Sequence, residues 1–283
     1  MRTKRVIYDF GANNGDDIPY YLLKSDLVVA VEANPVLAQE ISRRFAEPLA
    51  AGKLILKACV LSANEAAAGA PFFIHKSNHV LSQFPRPGPE QMGQFEEVRL
   101  PSENVVELIR QCGEPYYIKV DIEHYDAPIL RALFDAEVRP SFISAESHSI
   151  EVFALLVALG GYESFNLVEG ATVATTYQNH QIKGIAGVEM YSFPHHSAGP
   201  FGTDIVGPWM TADNFFRRLA LEGLGWKDVH ATREIPADPT AHVRIRDPLL
   251  GWLRKKNRML GVTLVGRQLS LSTTAQVPKR RLT

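Results

Sequence analysis

The chain of 283 residues is long enough to bury a sizeable core, as one large domain or one domain with an addition. With 46% hydrophobic and 22% charged residues it has the composition of an ordinary soluble globular protein. Two cysteines, Cys59 and Cys112, are too few for a disulfide framework or a tetrahedral zinc site, and no apolar run is long enough to span a bilayer. The net charge of −1 hides a split: residues 241–283 carry ten Lys and Arg against Asp247 alone, so the first 240 residues sum to −10. The basic start, Met1 to Arg5, runs directly into a strand without a signal-peptide core, so a reducing cytoplasm is the expected location.

Val6, Ile7 and Tyr8 form a short β-prone run that ends on Asp9 and opens into a turn with Gly11 and Gly15. A buried strand feeding a glycine-bearing loop and then a helix, expected from about 17 to 24, is the local architecture of a nucleotide-type site. The spacing Asp-x-Gly-x-Asn-x-Gly lacks the middle glycine of the dinucleotide fingerprint. It therefore points away from a pyrophosphate and towards S-adenosylmethionine (SAM), which has no phosphate to cradle. Leu27 to Val31 is the second strand, and it ends on Glu32, placed to accept hydrogen bonds from both hydroxyls of a ribose.

Asn34-Pro35 begins a helix over about 35–47, and Leu54 to Val60 reads as a third strand. Phe72 to Ile74 reads as an extra strand or hairpin arm. The Pro- and Gly-rich segment 75–97 is too long for a simple connection, so we read it as an acceptor-side flap. Ser102 is expected to cap a helix to Gln111, stopped by Gly113. Tyr116 to Val120 is the fourth strand, followed by Asp121-Ile122-Glu123-His124 and a helix over about 126–136. Phe142 to Ala145 is the fifth, followed by Glu146-Ser147-His148 and a helix over 150–159. Tyr162 to Val168 is a sixth strand. Thr211 to Leu221 reads as a helix and Trp226 to Thr232 as a seventh strand, with a second acceptor-side flap over 192–203. The alternation, with charged residues at the strands' carboxyl ends, predicts an α/β fold, doubly wound around a mostly parallel seven-stranded sheet. The domain is expected over 1–240, with a basic C-terminal extension over 241–283.

Together the stretches 8–15 (Tyr-Asp-Phe-Gly-Ala-Asn-Asn-Gly), 31–35 (Val-Glu-Ala-Asn-Pro), 118–123 (Ile-Lys-Val-Asp-Ile-Glu) and 146–148 (Glu-Ser-His) resemble the FkbM-type family of SAM-dependent methyltransferases. The resemblance covers roughly residues 5–165. It implies a Rossmann-like class I methyltransferase sheet and methyl transfer to the oxygen of a small-molecule or saccharide acceptor. Carried over by position, it implies that Asp9, Gly11, Asn13 and Gly15 line the methionine and ribose part of SAM, with Phe10, Ala12 and Ala33 beside them. It also implies Glu32 on the ribose hydroxyls, Ser62 near the adenine and Asp121 near the methyl group. The chain departs from the family where a glycine usually follows the Asp-x-Glu of the fourth strand; here that residue is His124.

A hydroxyl acceptor is a poor nucleophile until its proton is taken, which calls for a positioned base. Asp121, His124, Glu146 and His148 are the candidates, and adjacent strands four and five would bring them together. One reading makes His124 or Asp121 the base; the other makes the cluster a site for Mg²⁺ or a similar ion. No dedicated ligand spacing is visible, so the base reading is preferred and no metal ligand is assigned. Glu123 is read as an outward-facing charge or helix-start acid, and His195 and His196 as part of a lid hinged at Gly199 and Gly202. His75, His79, His180 and His230 fit no pattern.

In the extension, residues 248–260 place Leu249, Trp252 or Leu253, and Leu260 near helical spacing, with Arg254, Lys255, Lys256 and Arg258 between them. This suits packing on the body or a second subunit, or a peripheral membrane contact. Without an interleaved aromatic array, nucleic acid is not the favoured partner. The rivals to O-methyl transfer are N- or carboxyl-methyl transfer on the same scaffold, and a non-enzymatic SAM-fold binding or scaffold protein.

Overall fold

A computed structural model describes residues 3–65, 69–241, 263–265 and 268–270. It divides the chain into two units, Met1–Ala241 and His242–Thr283. In the second, β14 (Thr263–Val265) and β15 (Gln268–Ser270) form an antiparallel hairpin. The amphipathic stretch 248–260 lies outside the described residues. Among the described residues no helix is long and apolar enough to cross a membrane.

The first unit is built on β1 (Val6–Phe10), whose five residues are all buried. A central parallel strand is covered on both faces, which is why its apolar residues run continuously instead of alternating with polar ones. β1 pairs in parallel with β2 (Leu27–Val31) on one side and β8 (Pro115–Val120) on the other. The sheet continues through β3 (Leu54–Lys57) beyond β2, and through β9 (Phe142–Ser147), β13 (Gly225–Thr232) and β10 (Ser164–Glu169) beyond β8. Only β13 runs antiparallel, inserted between β9 and β10. Strand order therefore reverses at β1, and in such sheets ligands bind outside the carboxyl ends at the reversal. The expected seven-stranded, mostly parallel fold is present.

Successive side chains of β1 feed two apolar layers. Val6, Tyr8 and Phe10 join the layer of α4 (Val105–Cys112), α5 (Asp126–Asp135), α6 (Ile150–Ala158) and α8 (Ala212–Glu222). Ile7 faces α1 (Ile18–Lys24), α2 (Pro35–Arg44) and the segment 193–209. That segment corrects the reading of 192–203 as a flap. Phe201 stacks on Tyr117 with ring centroids 4.0 Å apart, and Ser197 and Ala198 bond the buried Asp17. Residues 197–202 are buried in the core, whereas His195 and His196 are exposed and stacked on each other.

Two local readings also change. The stretch 54–60 is not one strand: it breaks after Lys57, and β4 (Val60–Ser62) leaves the main sheet to pair with β7 (Ser102–Asn104). Ser102 is thus strand, not cap. The cap of α4 is Asn104, whose side chain accepts from the amides of Val106 and Glu107 at 2.9 and 3.0 Å. Asparagine satisfies two otherwise orphaned helix-start donors there. The arm at Phe72 belongs to β5 (Ala70–His75), paired antiparallel with β6 (Phe95–Leu100). The connection between them is tied back by reciprocal backbone bonds of 2.9 Å between Phe73 and Gln83.

Candidate active site

The loop after β1 is pressed against the loop after β8. Asp121 N–H donates to Phe10 O at 2.9 Å, while the amides of Gly11 and Ala12 both donate to Val31 O at 3.0 Å. Gly11 sits at φ +84°, and a Cβ there would lie 1.8 Å from Asp121 O. Only glycine permits both the conformation and the approach. At the end of β2, Glu32 is held by two backbone donors: Asn13 N–H to Oε2 and Asn34 N–H to Oε1, each 2.7 Å. Glu32 as a residue is 7% exposed, and burial pushes its pKa up to about 7.

These loops bound a cavity at the carboxyl ends of the strands, where ligands bind in such sheets. Of the residues expected to contact a cofactor, Gly11, Asn13, Glu32, Ala33 and Asp121 line this cavity. The other expected contacts lie behind its walls. Asp9 is 0% exposed and takes the face of β1 turned to Lys119, since side chains alternate along a strand. Phe10 and Ala12 are buried in the two apolar layers. A Cβ on Gly15 would meet Phe45, Ile18 and Ile41, so that glycine serves packing. Ser62 is buried and its Oγ accepts from Asn64 N–H. The far wall is formed by the β5–β6 connection, with His79, Ser82, Gln83 and Phe84 on the cavity. The sequence marked that segment as a flap without singling out any of these residues, and His79 was set aside.

Lys119 is the cation under this floor, a residue that sequence reasoning passed over as strand interior. Its Nζ donates to Gly11 O at 3.0 Å and lies 3.2 Å from Asp121, 3.4 Å from Asp9 and 3.9 Å from Asp17. Burial opposes its charge, but the surrounding carboxylates outweigh burial and hold it protonated, well above its ordinary value. One ammonium thus ties the first loop to Asp121.

The four expected catalytic groups do converge at the ends of β8 and β9, which are neighbours. His148 Nε2 lies 2.6 Å from Glu146 Oε2, and the His124 and His148 rings are 5.1 Å apart. The Glu146 carboxyl is pushed up to about 10, chiefly by burial and then by the neighbouring Asp121. Glu123 departs from its expected outward orientation. Its Oε2 lies 3.5 Å from His148 Nε2, and burial pushes it up to about 7. His124 is exposed and sits at φ +65°. That left-handed conformation accounts for the glycine of the family pattern, and a side chain there costs about 1–2 kcal/mol. Burial and the neighbouring His148 hold its pKa below the ordinary value, so its imidazole is neutral at pH 7. His195 and His196 stack against Trp226 at centroid distances of 5.8 and 6.3 Å.

Comparison with known proteins bears on what this arrangement belongs to. No curated protein matches the chain. Among solved structures, the crystal structure of Methyltransferase FkbM from Methylobacillus flagellatus KT is similar at 16% identity, with a TM-score of 0.37. The match covers 60% of this chain and 41% of that one, so this chain spans less than half the length of that protein. The family model described as the Methyltransferase FkbM domain matches residues 9–165. That match covers more than half of the chain and takes in the Gly11 loop, Glu32 and the Asp121–His148 cluster: the protein belongs to the FkbM methyltransferase family.

Proposed function

We propose that this protein is a SAM-dependent O-methyltransferase acting on a hydroxyl of a small molecule or glycan. The observation that carries the reading is Glu32, fixed by two backbone amides with its carboxylate on the cavity beside Gly11. Each of its oxygens accepts one such bond and keeps a further acceptor site for a ribose hydroxyl. The absence of a phosphate-cradling glycine pattern and a wall rich in apolar groups suit an adenosyl group. SAM supplies an electrophilic methyl on a sulfonium.

The chain's own task is to hold an acceptor oxygen in line with that methyl and to take its proton. His124, neutral and exposed at the cluster's rim, accepts the proton at an imidazole nitrogen. His148 is already engaged with Glu146 and orients the cluster. Lys119 holds Asp121 and the Gly11 carbonyl in register.

His124→Gly tests this assignment with two opposed readouts. Glycine relieves the positive φ, so the denaturant midpoint rises by the equivalent of about 1 kcal/mol. Turnover on a confirmed acceptor falls by roughly 10²–10⁴-fold, with SAM affinity unchanged and the product identified as an O-methyl ether by mass spectrometry and NMR. Unchanged turnover would remove His124 from the mechanism, and an N-methyl or ester product would replace the acceptor class.

A further inference from the structure

We propose that Glu123, Glu146 and His148 form a binding site for a divalent cation at the carboxyl ends of β8 and β9. One ligand atom from each lies within 4.8 Å of the other two. Ligands about 2.1 Å from a common octahedral ion lie about 3 Å from one another. The separations of His148 Nε2 from Glu146 Oε2 and from Glu123 Oε2, 2.6 and 3.5 Å, bracket that spacing. Two carboxylates and one imidazole suit Mn²⁺ or Mg²⁺ with water completing the shell.

A second observation points to the same place. Asp228 is 4% exposed and its Oδ1 has no hydrogen-bond partner. It is the direct cross-strand partner of Glu146, so both side chains rise from the same face of the sheet. Asp126, 2% exposed, likewise leaves Oδ2 without a partner, and its charged neighbours are Asp121 and His148. Unpaired buried carboxylate oxygens are costly, and an ion beside them, directly or through its waters, answers both. Among the described residues, the cationic groups beside the carboxylates of Asp121, Glu123, Asp126, Glu146 and Asp228 are Lys119, near Asp121 and Asp228, and His148, near Glu123, Asp126 and Glu146. Metal ligands bind deprotonated, so on binding any proton on these groups leaves to solvent, and the nitrogen lone pair and carboxylates turn to the metal.

Glu123 and Asp121 also line the cavity, so the ion would sit at the acceptor's end of it and lower the pKa of a coordinated hydroxyl before His124 takes the proton. This catalytic role rests on the proposed function; the site itself does not. The test is titration of the intact protein with Mn²⁺, without SAM or acceptor, followed by calorimetry and electron paramagnetic resonance. Saturable binding at a single site is expected, weakened at least about tenfold in Glu123→Gln and in His148→Asn. Circular dichroism checks that each variant is folded, and Glu123→Gln, a change that keeps the side chain's size and shape, serves if His148→Asn does not fold. No binding at millimolar Mn²⁺, or equal binding by a folded variant, overturns the proposal. Separate SAM titrations distinguish the two failures. SAM binding without Mn²⁺ binding overturns the cation site alone, and Mn²⁺ binding without SAM binding overturns the proposed function alone.

Discussion

Replacing Glu32 with alanine is expected to weaken SAM binding by roughly 100-fold or more while leaving the protein folded. The two ribose hydroxyls would each donate to an ionised acceptor, and such bonds contribute about 1.5–3 kcal/mol apiece. The fold tolerates the change because two effects offset. The amides of Asn13 and Asn34 lose their acceptor, while a buried carboxylate no longer has to be desolvated. The same residue gives the affinity a pH dependence whose sign follows from burial. Its folded pKa is raised from 4.5 to about 7. Its contribution to stability is therefore complete below about pH 4.5 and is lost as pH rises through about 7, a change on the order of 3 kcal/mol. Ribose hydroxyls bind the ionised form, so SAM affinity rises as stability falls, by about tenfold from pH 6 to pH 8. Calorimetry at both pH values reads this directly. An affinity that is flat with pH, and unchanged in Glu32→Ala, removes Glu32 from the cofactor site.

Gly11→Ala is expected to be the most damaging single methyl in the chain's first loop. The added carbon would fall 1.8 Å from the Asp121 carbonyl oxygen, a backbone atom that no rotamer change can move, at a φ of +84°. To make room, the loops after β1 and β8 must part, which breaks the Asp121–Phe10 bond and the Lys119 contacts that span them. A loss of more than about 3 kcal/mol is expected, in the range reserved for overpacking and backbone strain. Gly52→Ala is the matched control. It has φ +66° with nothing near the new carbon, so only the conformational cost of about 1 kcal/mol remains. Urea unfolding of the two variants separates them, and equal midpoints would show that the loops are not closely apposed.

Much of this was readable because short parallel strands carry unbroken apolar runs and end on charged residues. Leu27–Val31 followed by Glu32 is such a case: pattern and geometry agree to the residue. The alternation also placed Asp121 and Glu146 on neighbouring strand ends. What stayed hidden depended on long-range pairing. Nothing local distinguishes Ser102 from Asn104 as a cap; the parallel pairing of β4 with β7 decides it. Asp9 ends the apolar run of β1 as Glu32 follows that of β2, yet strand alternation turns it to the buried Lys119 instead of the cavity. Asp228 reaches Glu146 only because β13 inserts antiparallel between β9 and β10, which the order of elements does not reveal. The stretch 197–202 reads as a loop from its Pro and Gly content, but Phe201 is held by aromatic rings and Ser197 by a buried carboxylate.

The most direct measurement is a crystal structure of the protein with S-adenosylhomocysteine, the demethylated cofactor. Its ribose hydroxyls should lie within hydrogen-bond distance of both Glu32 oxygens, with the sulfur directed towards Asp121 and the His124–His148 rim. An adenosyl group bound elsewhere, or a cavity that excludes it at saturating concentration, would contradict the account.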